Sequence, residues 1–204
     1  MAKSDIETYL KLVKEYYCKE YSSQELQKII QDTRKKYDKF CKENDDESKE
    51  LKVHTHKHIY PAIALHQVLM ERGVDREKSY QQMIDFSDWR YQKTAQSIRN
   101  LMKIPGFYKL VPGIFYKAVR KMFGTEAGFR HRYHDCSKGT FCMDMMACPY
   151  FEVCRKNGCP EIAKVFCHVD DICYGNMHPK LIWGRTKTLA RGGDCCDFKI
   201  TISK

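Results

Sequence analysis

Cys167, Asp170 and Asp171, set in FCHVDDICYG, are the residues whose types and spacing could do chemistry in this chain. On a helix, spacings of three and four residues bring both carboxylates towards the face that carries the thiol. A cysteine thiolate can attack an electrophilic carbon directly, and a carboxylate can activate a water to do so. A flanking carboxylate also raises a thiol's pKa, so Cys167 as nucleophile needs a cation beside it, either Arg185 or the imidazole of His168. Without that cation, Asp170 is the general base and Cys167 a packed or proton-donating group. Arg185 is the candidate to hold a substrate carboxylate, because a planar guanidinium offers two parallel hydrogen bonds where lysine offers a point charge. His168, Asp171 and Thr188 complete the candidate substrate-binding set. Cys196 and Asp197 form a second catalytic pair.

Each group also has a plainer use. Free cysteine is among the most buried residue types, and Cys142, Cys148, Cys154 and Cys173 read as small packed groups. Met143, Met145 and Met146 read as gap-filling apolar residues. Asp171 could be a solvated helix position, and Arg185 a strand residue stacked on Trp183. Two metal sets are conceivable. His54, His56 and His58 alternate, so on a strand their imidazoles would share a face, although a solvent-exposed edge of a helix accounts for them more simply. Cys148, Cys154, Cys159, Cys167 and Cys196 could take zinc or an iron–sulfur cluster, but their spacing contains no C-x-x-C pair. The expectation is no metal and no cofactor.

The elements that must position these groups follow from periodicity. Ile6, Leu10, Val13 and Tyr17 repeat at helical spacing and predict a helix over about 5–20. Ser22 with Glu25 has capping-box spacing, opening a helix whose apolar face runs through Leu26, Ile29, Ile30, Thr33, Tyr37 and Phe40. The run KENDDESKELK reads as a loop or frayed helix end. Pro61 suits a first helical turn, Gly73 a stop and Asp75 the cap of a long helix over about 76–103. A short helix over about 115–123 follows. From Gly128 the texture turns to strands, with Ser137-Lys138-Gly139 as a hairpin loop. Pro149 and Pro160 open two further helices. KLIWGRTKTLA and CDFKITI read as strands of a C-terminal β-hairpin turned at Arg191-Gly192-Gly193-Asp194. The fold class is α+β, a helical N-terminal half packed on a small antiparallel sheet. Residues 1–52 read as a helical extension and 53–204 as the α+β domain proper, the two expected to form one compact unit.

A chain of 204 residues can bury a real core. No apolar run approaches the roughly 18–20 residues that span a bilayer, and MAKSDIETYLKLVKEYY lacks the apolar centre of a secretory signal. The expectation is a cytoplasmic protein whose eleven cysteines are thiols, ligands or nucleophiles and not disulfides. The formal charge of +10 is spread along the chain among acids. Its nearest cluster, Arg130-His131-Arg132 with Lys117, Arg120 and Lys121 upstream, reads as a solvated basic face. Neither nucleic acid nor membrane is expected as a partner, and a homo-oligomer is left open.

At this point the residues resemble a known family. C-P-Y-F at 148–151, G-C-P-E at 158–161, F-C-x-x-D-D at 166–171, H-P-K-L at 178–181 and R-T-K-T-L-A-R-G-G-D-C-C-D-F at 185–198 look like the L-2-amino-thiazoline-4-carboxylic acid hydrolase family. P-A-I-A-L-H at 61–66 is a weaker upstream match. The resemblance implies a hydrolase that opens a cyclic thiazoline amino acid to N-carbamoyl-L-cysteine, or a related ring, and hence a small-molecule substrate with a carboxylate. More faintly, the C-terminal segment is similar to vinyl-reductase-type small-molecule domains, some of which bind zinc. Arg185 and Thr188 stand where two of the zinc ligands would be, and only Cys196 matches. The alternative to a hydrolase is therefore a non-catalytic small-molecule-binding or metal-binding α+β module.

Overall fold

The protein, seen in a computed structural model, is described over residues 2–135 and 138–203. Helix α1 (Ala2–Tyr17) turns its apolar stripe of Ile6, Leu10, Val13 and Tyr17 fully inward. Helix α2 (Ser23–Glu43) starts with the capping box that its sequence announces: the Glu25 amide donates to Ser22 Oγ at 3.3 Å, and the Ser22 amide donates to Glu25 Oε2 at 3.0 Å. The charged run that follows is only partly a loop. Ser48 caps α3 (Lys49–His54) by accepting from the Leu51 amide, so the end of the run is helical.

Helix α3 passes without a break through a π-helical turn, Thr55–Ile59, into α4 (Tyr60–Glu71). The Tyr60 amide donates to the Thr55 carbonyl, one residue further back than in an α-helix. This corrects the reading of the His54–His58 triplet. The three histidines lie on helix, not strand, and His54 is buried, not at a solvent-exposed edge. Asp75 then caps α5 (Arg76–Leu101), the longest helix among the described residues. Helix α6 (Val111–Met122) extends further back than the expected short helix because Pro112 opens it.

Four strands, β1 (Arg130–Tyr133), β2 (Thr140–Ala147), β3 (Leu181–Gly184) and β4 (Cys196–Ile202), form one antiparallel sheet in the order β1-β2-β4-β3. The loop reading at Lys138-Gly139 fits the β1–β2 connection; Ser137 lies outside the described residues. Met143 faces Phe198 and Met145 faces Cys196 across β2 and β4, which puts these side chains on the helix-facing side. Asp144 opposite Asp197 falls on the other side. Between the strands, α7 (Pro149–Lys156) and α8 (Pro160–Tyr174) return to the helical layer.

The C-terminal hairpin departs from its sequence reading in one respect. Pairing of β3 with β4 stops at Gly184–Lys199, so residues 185–195 form a wide loop, not a tight turn between long strands. The loop's end is nonetheless built at A-R-G-G. The Arg191 and Gly193 amides donate back to the Thr188 carbonyl, Gly192 takes φ +84°, and a Cβ on Gly193 would lie 3.0 Å from that carbonyl oxygen.

Two apolar clusters result. One joins α1, α2, α4, α7 and the first halves of α5 and α8, and the other joins the sheet, α6 and the end of α5. Among the described cysteines nine are free thiols, whereas Cys142 is disulfide-bonded, a departure from the all-thiol expectation. No helix among the described residues is long and apolar enough to cross a membrane.

Candidate active site

Helix α8 presents Phe166, Cys167, Asp170, Cys173 and Tyr174 on one face, at the spacings of three and four that bring helical residues together. That face closes a cavity of about 280 Å³. The opposing walls are His58 from the π turn, Tyr91 and Thr94 from α5, Cys148 and Tyr150 at the start of α7, and Cys196 and Phe198 from β4. The cavity lies at the seam of the two apolar clusters, against both of which Tyr150 packs.

Asp170 is the one carboxylate in this wall. Its Oδ2 accepts from Arg185 Nη1 at 3.2 Å, and its Oδ1 has no protein partner among the described residues. Burial pushes the carboxyl up to about 6, against the pull of Arg185 and with a further push from Asp171. The side chain nonetheless keeps 38% of its surface. The two facts agree if that surface faces the apolar-walled cavity and not bulk water, so desolvation outweighs the neighbouring cation.

Arg185 is held in a clasp. Its Nη2 donates to Asp171 Oδ2 at 2.9 Å and to the Cys167 carbonyl, while Nη1 takes Asp170. The guanidinium also lies over the rings of Phe198 and Trp183, at 5.4 and 5.8 Å from their centroids. Asp171 completes the clasp by accepting the Trp183 indole N–H at 3.1 Å. Burial works against the guanidinium's charge, but Asp170 and Asp171 outweigh it and raise its pKa. With 5% of its side chain exposed, Arg185 stands behind Asp170 and is not part of the cavity wall.

The thiols are in their neutral form. Burial raises Cys167, and Arg185 offsets only part of that rise, while Asp170 adds to it. Burial likewise pushes Cys148 up to about 12 and Cys196 and Cys173 up to about 11. The cation that a Cys167 thiolate would need is thus present, yet it is spent on two carboxylates and a carbonyl.

The remaining candidates sit elsewhere. The Cys196 thiol lines the cavity and accepts the Leu189 amide at 3.3 Å, but Asp197 lies on the opposite face of the sheet. There Asp197 accepts the Thr186 and Lys187 amides at 2.9 and 2.8 Å and ties down the loop after β3. His168 points to α5, where Nε2 meets Asp88 at 2.8 Å. Thr188 is buried, with a hydroxyl that finds no hydrogen-bond partner of ordinary length but favours the Cys167 thiolate. Among the described residues no group of three or more His, Cys, Asp or Glu side chains is placed to hold a metal.

Groups that sequence reasoning did not bring to this cavity are His58, Tyr91, Tyr150 and Tyr174. His58 could be noticed only as part of a metal triplet, and the tyrosines carry no local signal. His54 supports them from behind. Its Nε2 meets the Met122 carbonyl at 3.1 Å, which can only accept, so Nε2 carries the proton and Nδ1 accepts the Tyr150 hydroxyl at 3.1 Å. Burial lowers His54, as this neutral tautomer requires. Burial also pulls His58 down to about 4, with the nearby charge of Arg90 and Lys57 assisting.

Two other constellations were candidates for chemistry. Ser79, His66 and Glu161 form a relay with 2.8 Å at each link, the arrangement of a serine triad. Ser79 and His66 are both fully buried and line no cavity, so the relay joins α4, α5 and α8 and attacks nothing. A larger surface groove of about 600 Å³ beside Arg99, Lys103, Tyr108 and His178 offers neither carboxylate nor thiol.

What fold and site define is an α+β protein built around a small apolar cavity with one near-neutral carboxylate and several protonated thiols. The chain belongs to the L-2-amino-thiazoline-4-carboxylic acid hydrolase family, whose sequence model matches residues 52–200, more than half of its length. That span holds α4 to α8, all but the end of the sheet, and every cavity residue named above. No curated protein and no solved structure matches the chain.

Proposed function

We propose that the chain is a hydrolase that opens a small cyclic amidine of the thiazoline type, with Asp170 as general base. One observation carries the reading: a carboxylate raised to about 6, with one oxygen unpartnered, in a cavity of the size of a small ring. A base poised near neutrality is ionised at working pH yet can accept and return a proton.

In the proposed reaction Asp170 takes a proton from a water as its oxygen bonds to the amidine carbon. The tetrahedral intermediate then breaks its carbon–sulfur bond, and the proton held by Asp170 passes to the departing sulfur. The hydroxyl proton leaves as the carbonyl forms, to the ring nitrogen of a neutral amidine or to solvent when the amidine enters as its cation. Water is thereby added across the opened bond, leaving a thiol and a carbamoyl group. The Tyr91 hydroxyl, kept neutral by burial, and neutral His58 are the donors on the opposite wall. Arg185 acts through Asp170, since it orients Oδ2 and leaves Oδ1 for the water.

Cys167 as nucleophile is the weaker reading, because burial favours its neutral thiol. The two readings separate under mutation. Asp170→Asn is expected to abolish ring opening, followed by mass spectrometry as the gain of one water, while Cys167→Ala retains it. Activity lost in Cys167→Ala but kept in Asp170→Asn would reverse the assignment, and full activity in both would remove the site. Ring opening is expected to persist under chelation.

A further inference from the structure

The family's name specifies a substrate with a carboxylate, and such a substrate needs a cation. Among the residues lining the cavity, however, none is lysine or arginine, and Asp170 is the sole acid. Arg185, the expected anchor, makes three hydrogen bonds within the protein, lies against the rings of both Trp183 and Phe198, and keeps 5% of its side chain exposed. To reach a substrate in this cavity it would have to leave two carboxylates and two rings; the pocket that it does line, with Thr186 and Asp197, is a separate one. Among its thiol and aliphatic side chains the wall also carries the rings of Tyr91, Tyr150, Tyr174, Phe166 and Phe198.

The consequences for a ligand's charge follow from elementary electrostatics. An anion placed here loses its hydration, meets no counter-ion and is repelled by Asp170. A flat cation gains on both counts, because the Asp170 carboxylate attracts it and aromatic faces favour it further. The partly satisfied state of Asp170 points the same way, since its Oδ1 is a charged acceptor without a donor. A ligand N–H that bears positive charge takes one lone pair of that oxygen in a charge-assisted bond and leaves the other for the attacking water.

We propose that this cavity selects a planar cyclic amidine in its cationic form without a free carboxylate, in place of the amino acid that the family name describes. The proposal rests on the reading of Asp170 as the working group. It makes Asp170 the specificity determinant as well as the base, and it assigns Arg185 to positioning alone.

Binding and turnover are measured separately on three probes at pH 7.5: 2-amino-2-thiazoline, 2-amino-thiazoline-4-carboxylate and the methyl ester of the latter. Calorimetric titration is expected to show the carboxylate-free ring and the ester binding at least about tenfold more tightly than the carboxylate, a difference of about 1.4 kcal/mol. Asp170→Asn is expected to remove the difference. Thr94→Lys, which places a cation on the cavity wall at an exposed position of α5, is expected to recover affinity for the carboxylate. Equal or tighter binding of the carboxylate by the native chain overturns the proposal, as does failure of all three probes to bind. Binding with the expected preference but no turnover of any probe contradicts the hydrolase reading and leaves the selection standing.

Discussion

Asp170 and Arg185 show how a pair can be close without being equivalent. The guanidinium gives three of its N–H groups to Asp170, Asp171 and the Cys167 carbonyl and lies outside the cavity wall, whereas the carboxylate is half satisfied and faces the cavity. From this asymmetry we expect Asp170→Asn to lower kcat/KM by about 10²–10⁴, the usual worth of a general base. The same variant should be no less stable than the native chain at pH 8. The folded state holds the Asp170 proton up to about pH 6, against an ordinary value of 3.8, so ionisation at higher pH costs stability that a neutral side chain does not. Thermal denaturation tests this, and a marked loss of stability would mean that the ion pair with Arg185 dominates. Because the base works ionised, kcat/KM should fall as pH drops through about 6. The thiols give a separate check: at pH 7.5 iodoacetamide should label exposed Cys18 well before Cys148, Cys167 or Cys196, as peptide mass spectrometry would read. Early labelling of Cys167 would revive it as nucleophile.

At the scale of elements, the π turn and the loop after β3 deliver what regular helices and strands would not. The π turn brings His58 to the cavity while His54 braces Tyr150. The loop after β3 carries Arg185 under α8 and is anchored by Asp197. Arg185→Met should therefore loosen the loop and cost about 1–3 kcal/mol, the worth of hydrogen bonds to charged groups that stay partly hydrated. A denaturant midpoint unchanged from native would show the clasp to be incidental. These elements also mark what a single sequence can disclose. Caps and stops at Ser22, Asp75, Pro149 and Pro160 are local, involve residues a few positions apart, and were readable. The Cys167–Asp170 face of α8 was readable for the same reason. The wall opposite was not: Tyr91 and His58 are brought to α8 by packing over long sequence separations, and a π turn has no composition of its own. Arg185 is legible as a candidate, but its engagement by Asp170, Asp171 and a backbone carbonyl exists only in three dimensions.

At the scale of the whole molecule, residues before the family match are part of the same core. Val13, Tyr17, Leu26, Ile29 and Tyr37 pack in one cluster with Ile63, Leu65 and Leu69 of α4. A fragment beginning at Ser48 would expose that surface, and we expect no cooperative unfolding transition from it by circular dichroism; a sharp transition would show that the N-terminal helices are dispensable. Acid should also act globally. His54, His56, His58, His66 and His131 are all lowered by burial, so the unfolded chain takes up protons first, and stability is lost as pH falls below about 6.5, down to about 4 for His58. Asp170 acts in the opposite sense over part of that range, but it is one group against five. A stability maximum below pH 5 would contradict this balance. The central claim, that an Asp170-based cavity opens cyclic amidines, is met most directly by one assay. Purified native chain and Asp170→Asn are incubated with 2-amino-2-thiazoline and with 2-amino-thiazoline-4-carboxylate, and products are followed by mass spectrometry. The account predicts gain of one water by the native chain, fastest on the carboxylate-free ring, and none by the variant. Undiminished ring opening by Asp170→Asn would contradict it.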